Sequence, residues 1–146
     1  AEVVIGNVET AEGLEGREFD AIVGVSVLHH VDLEACLGHA FALLRRGGTF
    51  AFSEPNMANP QIWAERNLTS IRRRRCVTPH ETAFTTRELR SAFEAAGLVV
   101  EECAPFDFLH PATPAPLVDV VERLGLAVES TPLRAVAGSI RIAGHK

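Results

Sequence analysis

Phe19-Asp20-Ala21-Ile22-Val23-Gly24-Val25-Ser26-Val27-Leu28-His29-His30-Val31-Asp32 is the stretch on which the fold turns. From Phe19 to Val25 the apolar residues are nearly continuous, the pattern of a strand covered on both faces of a parallel sheet. Asp32 suits the N-cap of a following helix, with Glu34 adding negative charge to its first turn. Leu33, Leu37, Ala40, Phe41 and Leu44 form one apolar stripe at helical spacing. Arg45 and Arg46 fall where the helix dipole favours cations, and Gly47 is placed to end the helix. Thr49 to Ser53 then reads as another short strand. Strand, helix, strand in succession implies a crossover connection and a parallel pair.

Working outward, Val3-Val4-Ile5 reads as a strand already in progress that ends at Gly6-Asn7. Downstream, residues 54–82 are irregular and rich in Asn, Pro and Arg, with a helix predicted over about residues 61–75. Thr85 and Glu88 make a capping box, and Phe84 with Leu89 is placed as the hydrophobic staple around it. Leu89, Ala92, Phe93 and Ala96 form the buried face of that helix, and Gly97 stops it. Leu98 to Cys103 predicts a strand, extended through Phe106-Asp107-Phe108-Leu109 after a break at Pro105. Leu117, Val120, Val121 and Leu124 predict a helix over about residues 116–124. Ser139 to Ala143 alternates, as an antiparallel strand does. With no internal repeat or low-complexity tract, residues 1–146 read as one domain.

Composition bounds the function classes. Hydrophobic residues make up 47% and charged residues 23% of 146 positions, values ordinary for a folded globular chain. A net charge of −5 opposes general affinity for nucleic acid. Cys36, Cys76 and Cys103 are odd in number and irregularly spaced, which suits neither a disulfide framework nor a zinc knuckle. No membrane-spanning run or signal peptide is evident, so the expected location is cytoplasmic. His29, His30, Asp32, Cys36 and His39 match no common zinc spacing, and no metal site is expected. Arg72 to Arg75 reads first as a solvated face, with binding of an acidic acceptor or RNA as alternatives.

Three blocks carry a resemblance. Phe19-Asp20-Ala21-Ile22-Val23 through Val27-Leu28-His29-His30-Val31 is similar to the "FDxIx … xVLHHV" of the class I S-adenosylmethionine-dependent methyltransferases. Leu43-Leu44-Arg45-Arg46-Gly47-Gly48-Thr49-Phe50 resembles the family's "LL(R/K)xGG". Phe84-Thr85-Thr86-Arg87-Glu88-Leu89 through Ala95-Ala96-Gly97-Leu98 resembles its "FTxxELxxxLxxAGF". They arrive in the family's order. The resemblance implies an α/β fold of three layers: a doubly wound, mostly parallel sheet with an antiparallel last strand. Its implied strand order is 3-2-1-4-5-7-6, with this chain opening in the third strand.

The same resemblance exposes a departure. The family holds its cofactor on a Gly-x-Gly-x-Gly turn after the first strand, and none of the 11 glycines here makes a Gly-x-Gly. The acidic residue that ends the family's second strand is also missing. The domain is thus expected to be N-terminally incomplete, lacking the first two strands. Its opening strand must then stand apart, pair directly with the next, or be joined by strands of another chain or segment, which makes a homo-oligomer one expectation.

The resemblance also assigns roles. Asn7 and Val8 stand where the family has an Asp and a small apolar residue against the adenine of S-adenosylmethionine. Val25 and Ser26 end the strand whose tip touches the cofactor. His30 falls where the family often places a histidine near the transferred methyl, suited to orient the acceptor or take its proton. His29, Glu54, Asn56, Phe106 and His110 are the candidate acceptor-side residues, with capping or core packing as their alternative uses. The implied activity is methyl transfer from S-adenosylmethionine to a small-molecule acceptor. A non-catalytic remnant acting in binding or assembly, and an RNA methyltransferase, are the rival readings.

Overall fold

A computed structural model describes residues 5–69, 82–109 and 113–146. Four strands form one open sheet in the order β1-β2-β4-β3: β1 is Phe19–Val25, β2 Leu44–Pro55, β3 Val99–Phe106 and β4 Ser139–His145. β1 and β2 run parallel, and β4 runs antiparallel to both β2 and β3. β3 therefore points the same way as β1 and β2, and the C-terminal ends of three strands share one rim. The antiparallel character read from Ser139 to Ala143 is the pairing observed.

Helices α1 (Leu33–Leu43) and α3 (Thr86–Ala95) pack on one face; α2 (Pro60–Asn67) and α4 (Val118–Glu129) follow β2 and β3 respectively. Leu37 of α1 and Leu89 and Phe93 of α3 meet Phe50, Phe52, Ile140 and Ile142 of the sheet in one buried cluster. The Phe93 ring lies 4.9 Å from that of Phe50 and 5.5 Å from that of Phe52. Strand alternation sets the inward row on β2: Phe50, Phe52 and Glu54 are buried, while Thr49 and Ala51 are exposed.

The ends of α3 obey its sequence. Thr85 accepts a hydrogen bond from Glu88 N–H, and Glu88 accepts one in return from Thr85 N–H at 2.8 Å. At the other end Gly97 takes φ of 88°, with Leu98 N–H donating to Phe93 O and Gly97 N–H to Glu94 O. That is a Schellman closure, which a left-handed glycine permits.

The end of α1 corrects the expectation. Leu43 is its last residue and Leu44 is already extended, so Gly47 does not stop the helix. Instead Gly47, with φ of 74°, sits in a bulge where two steps along β1 (Phe19 to Ala21) answer five along β2 (Leu44 to Thr49). Arg45 leaves the helix and pairs with Asp20 at 2.8 Å. The cation at the helix end is Lys146, whose Nζ donates to Phe41 O at 2.6 Å and Leu44 O at 2.7 Å.

Other expectations also shift. Val3 and Val4 lie outside the described residues, and Ile5 is exposed and in no strand. Strand β3 runs through Pro105 without a break, tolerated because β3 is an edge of the sheet. The stripe Leu117, Val120, Leu124 faces outward, and α4 instead buries Gly125, where an added Cβ would lie 3.3 Å from Phe108 Cβ. Strand β1 is not covered on both faces by the described residues: Val23 is 76% and Val25 74% exposed. No strand among the described residues pairs with its outer edge.

Candidate functional site

Where β1 ends, the chain turns sharply. Ser26 adopts φ of 53°, strained for a residue with a Cβ, and its N–H donates to Ser53 O at 2.8 Å. A short 3-10 turn, Leu28–His30, follows, and Asp32 then caps α1 by accepting from Ala35 N–H at 3.0 Å. Leu28 fixes the turn by inserting its side chain, 1% exposed, into the core.

Beneath that turn lies Glu54. Its Oε1 accepts from Val27 N–H at 2.9 Å and Leu28 N–H at 2.8 Å. Its Oε2 accepts from His29 N–H at 3.3 Å and pairs with His29 Nδ1 at 2.8 Å. Burial pushes the Glu54 carboxyl up, but the hydrogen bonds from His29, Leu28 and Val27 outweigh it and hold the group below its ordinary range. His29 O in turn accepts from Thr82 N–H. Glu54 is fully buried, so the sequence expectation that it meets an acceptor is corrected: its position in the inward row of β2 aims it under the loop. His29 is likewise buried against Glu54, while His30 is exposed, with the two rings 3.9 Å apart.

Asn56 continues the inward row and is also buried. Its Nδ2 donates to Ala135 O at 3.0 Å and Ala137 O at 2.8 Å, and its Oδ1 accepts from Ala58 N–H at 3.0 Å. Both polar atoms of the side chain are engaged with backbone, so Asn56 braces the segment after β2 against residues 135–137. Asn59 repeats the device, donating to Val136 O at 2.8 Å and capping α2.

A cavity of about 610 Å³ opens along the outer edge of β1. Its walls are Ile22, Gly24, Ser26 and His30 from β1 and the turn, Cys36, His39 and Ala40 from α1, and Val8, Ala11 and Leu14 from the preceding loop. That loop is tied to α1, because Glu9 Oε1 accepts from Asp32 N–H at 2.6 Å. The volume is in the range of small-molecule sites, and the lining is mostly apolar with few polar groups. Among them, His39 Nδ1 is buried with no hydrogen-bond partner. Burial, reinforced by the charges of Glu9 and Glu54, raises the Cys36 thiol above its ordinary pKa.

The structure thus gathers Val8, Ser26 and His30 at one cavity. Asn7 borders it without lining it; its Oδ1 accepts from Glu9 N–H at 2.8 Å in an Asx turn. Val25 projects outward, away from the cavity. Phe106 ends β3 on the same rim, in one register row with Ser139 and Pro55, beneath the Arg141 guanidinium at 5.4 Å. His110 and Arg72 to Arg75 lie outside the described residues. Sequence reasoning missed His39 as a cavity group; its place one turn after Cys36 on the helix that follows the loop was the available signal. No cluster of three or more metal-ligating side chains occurs among the described residues. No helix among them is long and apolar enough to cross a membrane.

A family model described as Methyltransferase domain matches residues 4–103. The chain belongs to that family. Solved structures agree on the fold of this methyltransferase domain. A possible histamine N-methyltransferase from Thermotoga maritima superposes with a TM-score of 0.65 at 19% identity, over 97% of this chain and 61% of its own. An O-methyltransferase family protein from Burkholderia thailandensis gives 0.58 at 18%, over 99% and 35%. The N-methyltransferase NodS from Bradyrhizobium japonicum, solved with S-adenosyl-L-homocysteine, gives 0.54 at 13%, over 97% and 52%. The methyltransferase domain described here spans between about a third and three fifths of the lengths of these three. A comparison with curated proteins found no match. The open mixed sheet is the α/β fold expected from the sequence.

Proposed function

We propose that this chain forms the acceptor-side part of a methyl-transfer site that uses S-adenosylmethionine and acts on a small-molecule acceptor. The observation that carries the reading is the cavity along β1, walled at its carboxyl end by Ser26 and His30, in a chain of the methyltransferase family. Binding sites of open α/β sheets lie at the carboxyl ends of their parallel strands, and the cavity, which runs along β1 from Phe19, reaches that end at Ser26 and His30.

The residues present fit an adenosyl group in part. Val8, Ala11, Leu14 and Ile22 offer apolar walls for a purine, and the unpartnered His39 Nδ1 offers a buried hydrogen-bond position. No Gly-x-Gly turn is available to cradle the rest. We therefore place the missing wall on the outer edge of β1, supplied by strands beyond the described residues. When bound, the cofactor supplies a methyl group already activated on a sulfonium. The protein's task is then to hold the acceptor in line and keep water out. His30, exposed to the cavity, orients an acceptor hydroxyl or amine and accepts its proton; Ser26 offers a hydroxyl and the strained tip of β1.

Titrating the chain with S-adenosylhomocysteine by calorimetry tests this. Binding at about micromolar strength that is weakened by Ser26→Ala supports the reading. No binding at millimolar ligand would instead favour a non-catalytic role in binding or assembly.

A further inference from the structure

Among the described residues Glu54 is the side chain that engages the turn's amides, and it is not one of those that line the cavity along β1. One buried carboxylate engages three successive backbone N–H groups, of Val27, Leu28 and His29, together with His29 Nδ1. All three amides precede His30 directly, and His30 N–H itself closes the turn by donating to Val27 O at 3.2 Å. Leu28 and His29 are buried, so removing the carboxylate takes away the partner their amides have in the fold, and they must find others or move. Moving them moves His30.

Resting on the reading of His30 as the acceptor-facing group, we propose that Glu54 is a positioning residue for methyl transfer, with His29 as its second half. Together they clamp residues 27–29 so that His30 is presented to the cavity in a single orientation. The clamp spans strands: Glu54 closes β2 and the turn leaves β1, so the parallel pairing of Val25 with Ser53 delivers the carboxylate beneath the amides. His29 accordingly carries no contact with the acceptor.

Amide hydrogen exchange and imidazole resonances of the ¹⁵N-labelled chain test the clamp without a cofactor. In Glu54→Ala, exchange of the Leu28 and His29 amides rises by about 100-fold, while Leu89, Phe93 and Ile140 stay within about tenfold of wild type. Glu54→Gln keeps an acceptor for Val27 and Leu28 but turns an NH2 toward His29, so Leu28 stays protected and His29 does not. In that variant the His30 ring signals move and those of His145, on β4, do not. Unchanged exchange at Leu28 and His29 in both variants overturns the proposal. So does a uniform rise across the core in both, which marks a merely structural role. Should Glu54→Ala fail to fold, the Gln variant alone decides. Failure of the wild-type chain to bind S-adenosylhomocysteine would count against the methyl-transfer reading and leave the clamp standing.

Discussion

At the scale of single residues, the turn after β1 and the segment after β2 are held by two buried polar side chains, Glu54 and Asn56. Glu54 is an inward position of β2 and Asn56 follows just beyond its end, and each has its polar atoms engaged by backbone groups. A buried polar group left unpaired costs on the order of 1–3 kcal/mol, so neither tolerates truncation well. The acid behaviour of the protein follows from Glu54. Its folded pKa lies below the ordinary 4.5, so its ionised form stabilises the fold fully above about that pH. That contribution is lost as pH falls through the folded value. Calorimetric unfolding at a series of pH values below 5 is expected to show wild type losing stability more steeply than Glu54→Gln. Equal slopes would mean that the carboxylate is not what acid disrupts. Along the sequence, Glu54 and Asn56 read as acceptor-side candidates with capping or core packing as alternatives; that they extend the inward row of Phe50 and Phe52 emerged only with the sheet. Nor did the sequence disclose the loop waiting to receive the carboxylate.

At the scale of elements, helix ends divide into local and distant solutions. The start of α3 is closed by its own Thr85 and Glu88, and its end by Gly97. Thr85→Ala is expected to cost about 1 kcal/mol, measured as a lowered urea midpoint with an unchanged slope. The end of α1 is closed from far away by Lys146, which also lies 4.4 Å over the Phe41 ring. Arg45 and Arg46 looked like the cations for that task because only near neighbours can be weighed along a sequence. The bulge at Gly47 carries them off the helix before they can act.

For the whole molecule, the decisive feature is the outer edge of β1. One ladder of this strand is paired with β2, the other has no partner among the described residues, and Val23 and Val25 stand exposed beside it. An unpaired apolar edge is a template for another strand. Light scattering behind size exclusion is expected to find the 146-residue chain self-associated at micromolar concentration, and Val23→Lys to shift it toward monomer. A monodisperse wild-type monomer would show that this edge stands without a partner.

By itself the sequence determined the elements and most of their ends: the strand at Phe19, the caps at Asp32 and Thr85, the stop at Gly97 and the antiparallel last strand. These are set by periodicity and by hydrogen bonds within a turn or two, both written locally. Tertiary structure alone decided that Glu54 braces Val27 across 27 positions and that Lys146 closes α1 across more than 100. It also decided that Asn56 bonds the backbone of Ala135 and Ala137, about 80 positions away. The pairing of a polar group with a distant backbone partner leaves no period in a chain, and it exists only once the strands have brought the two together.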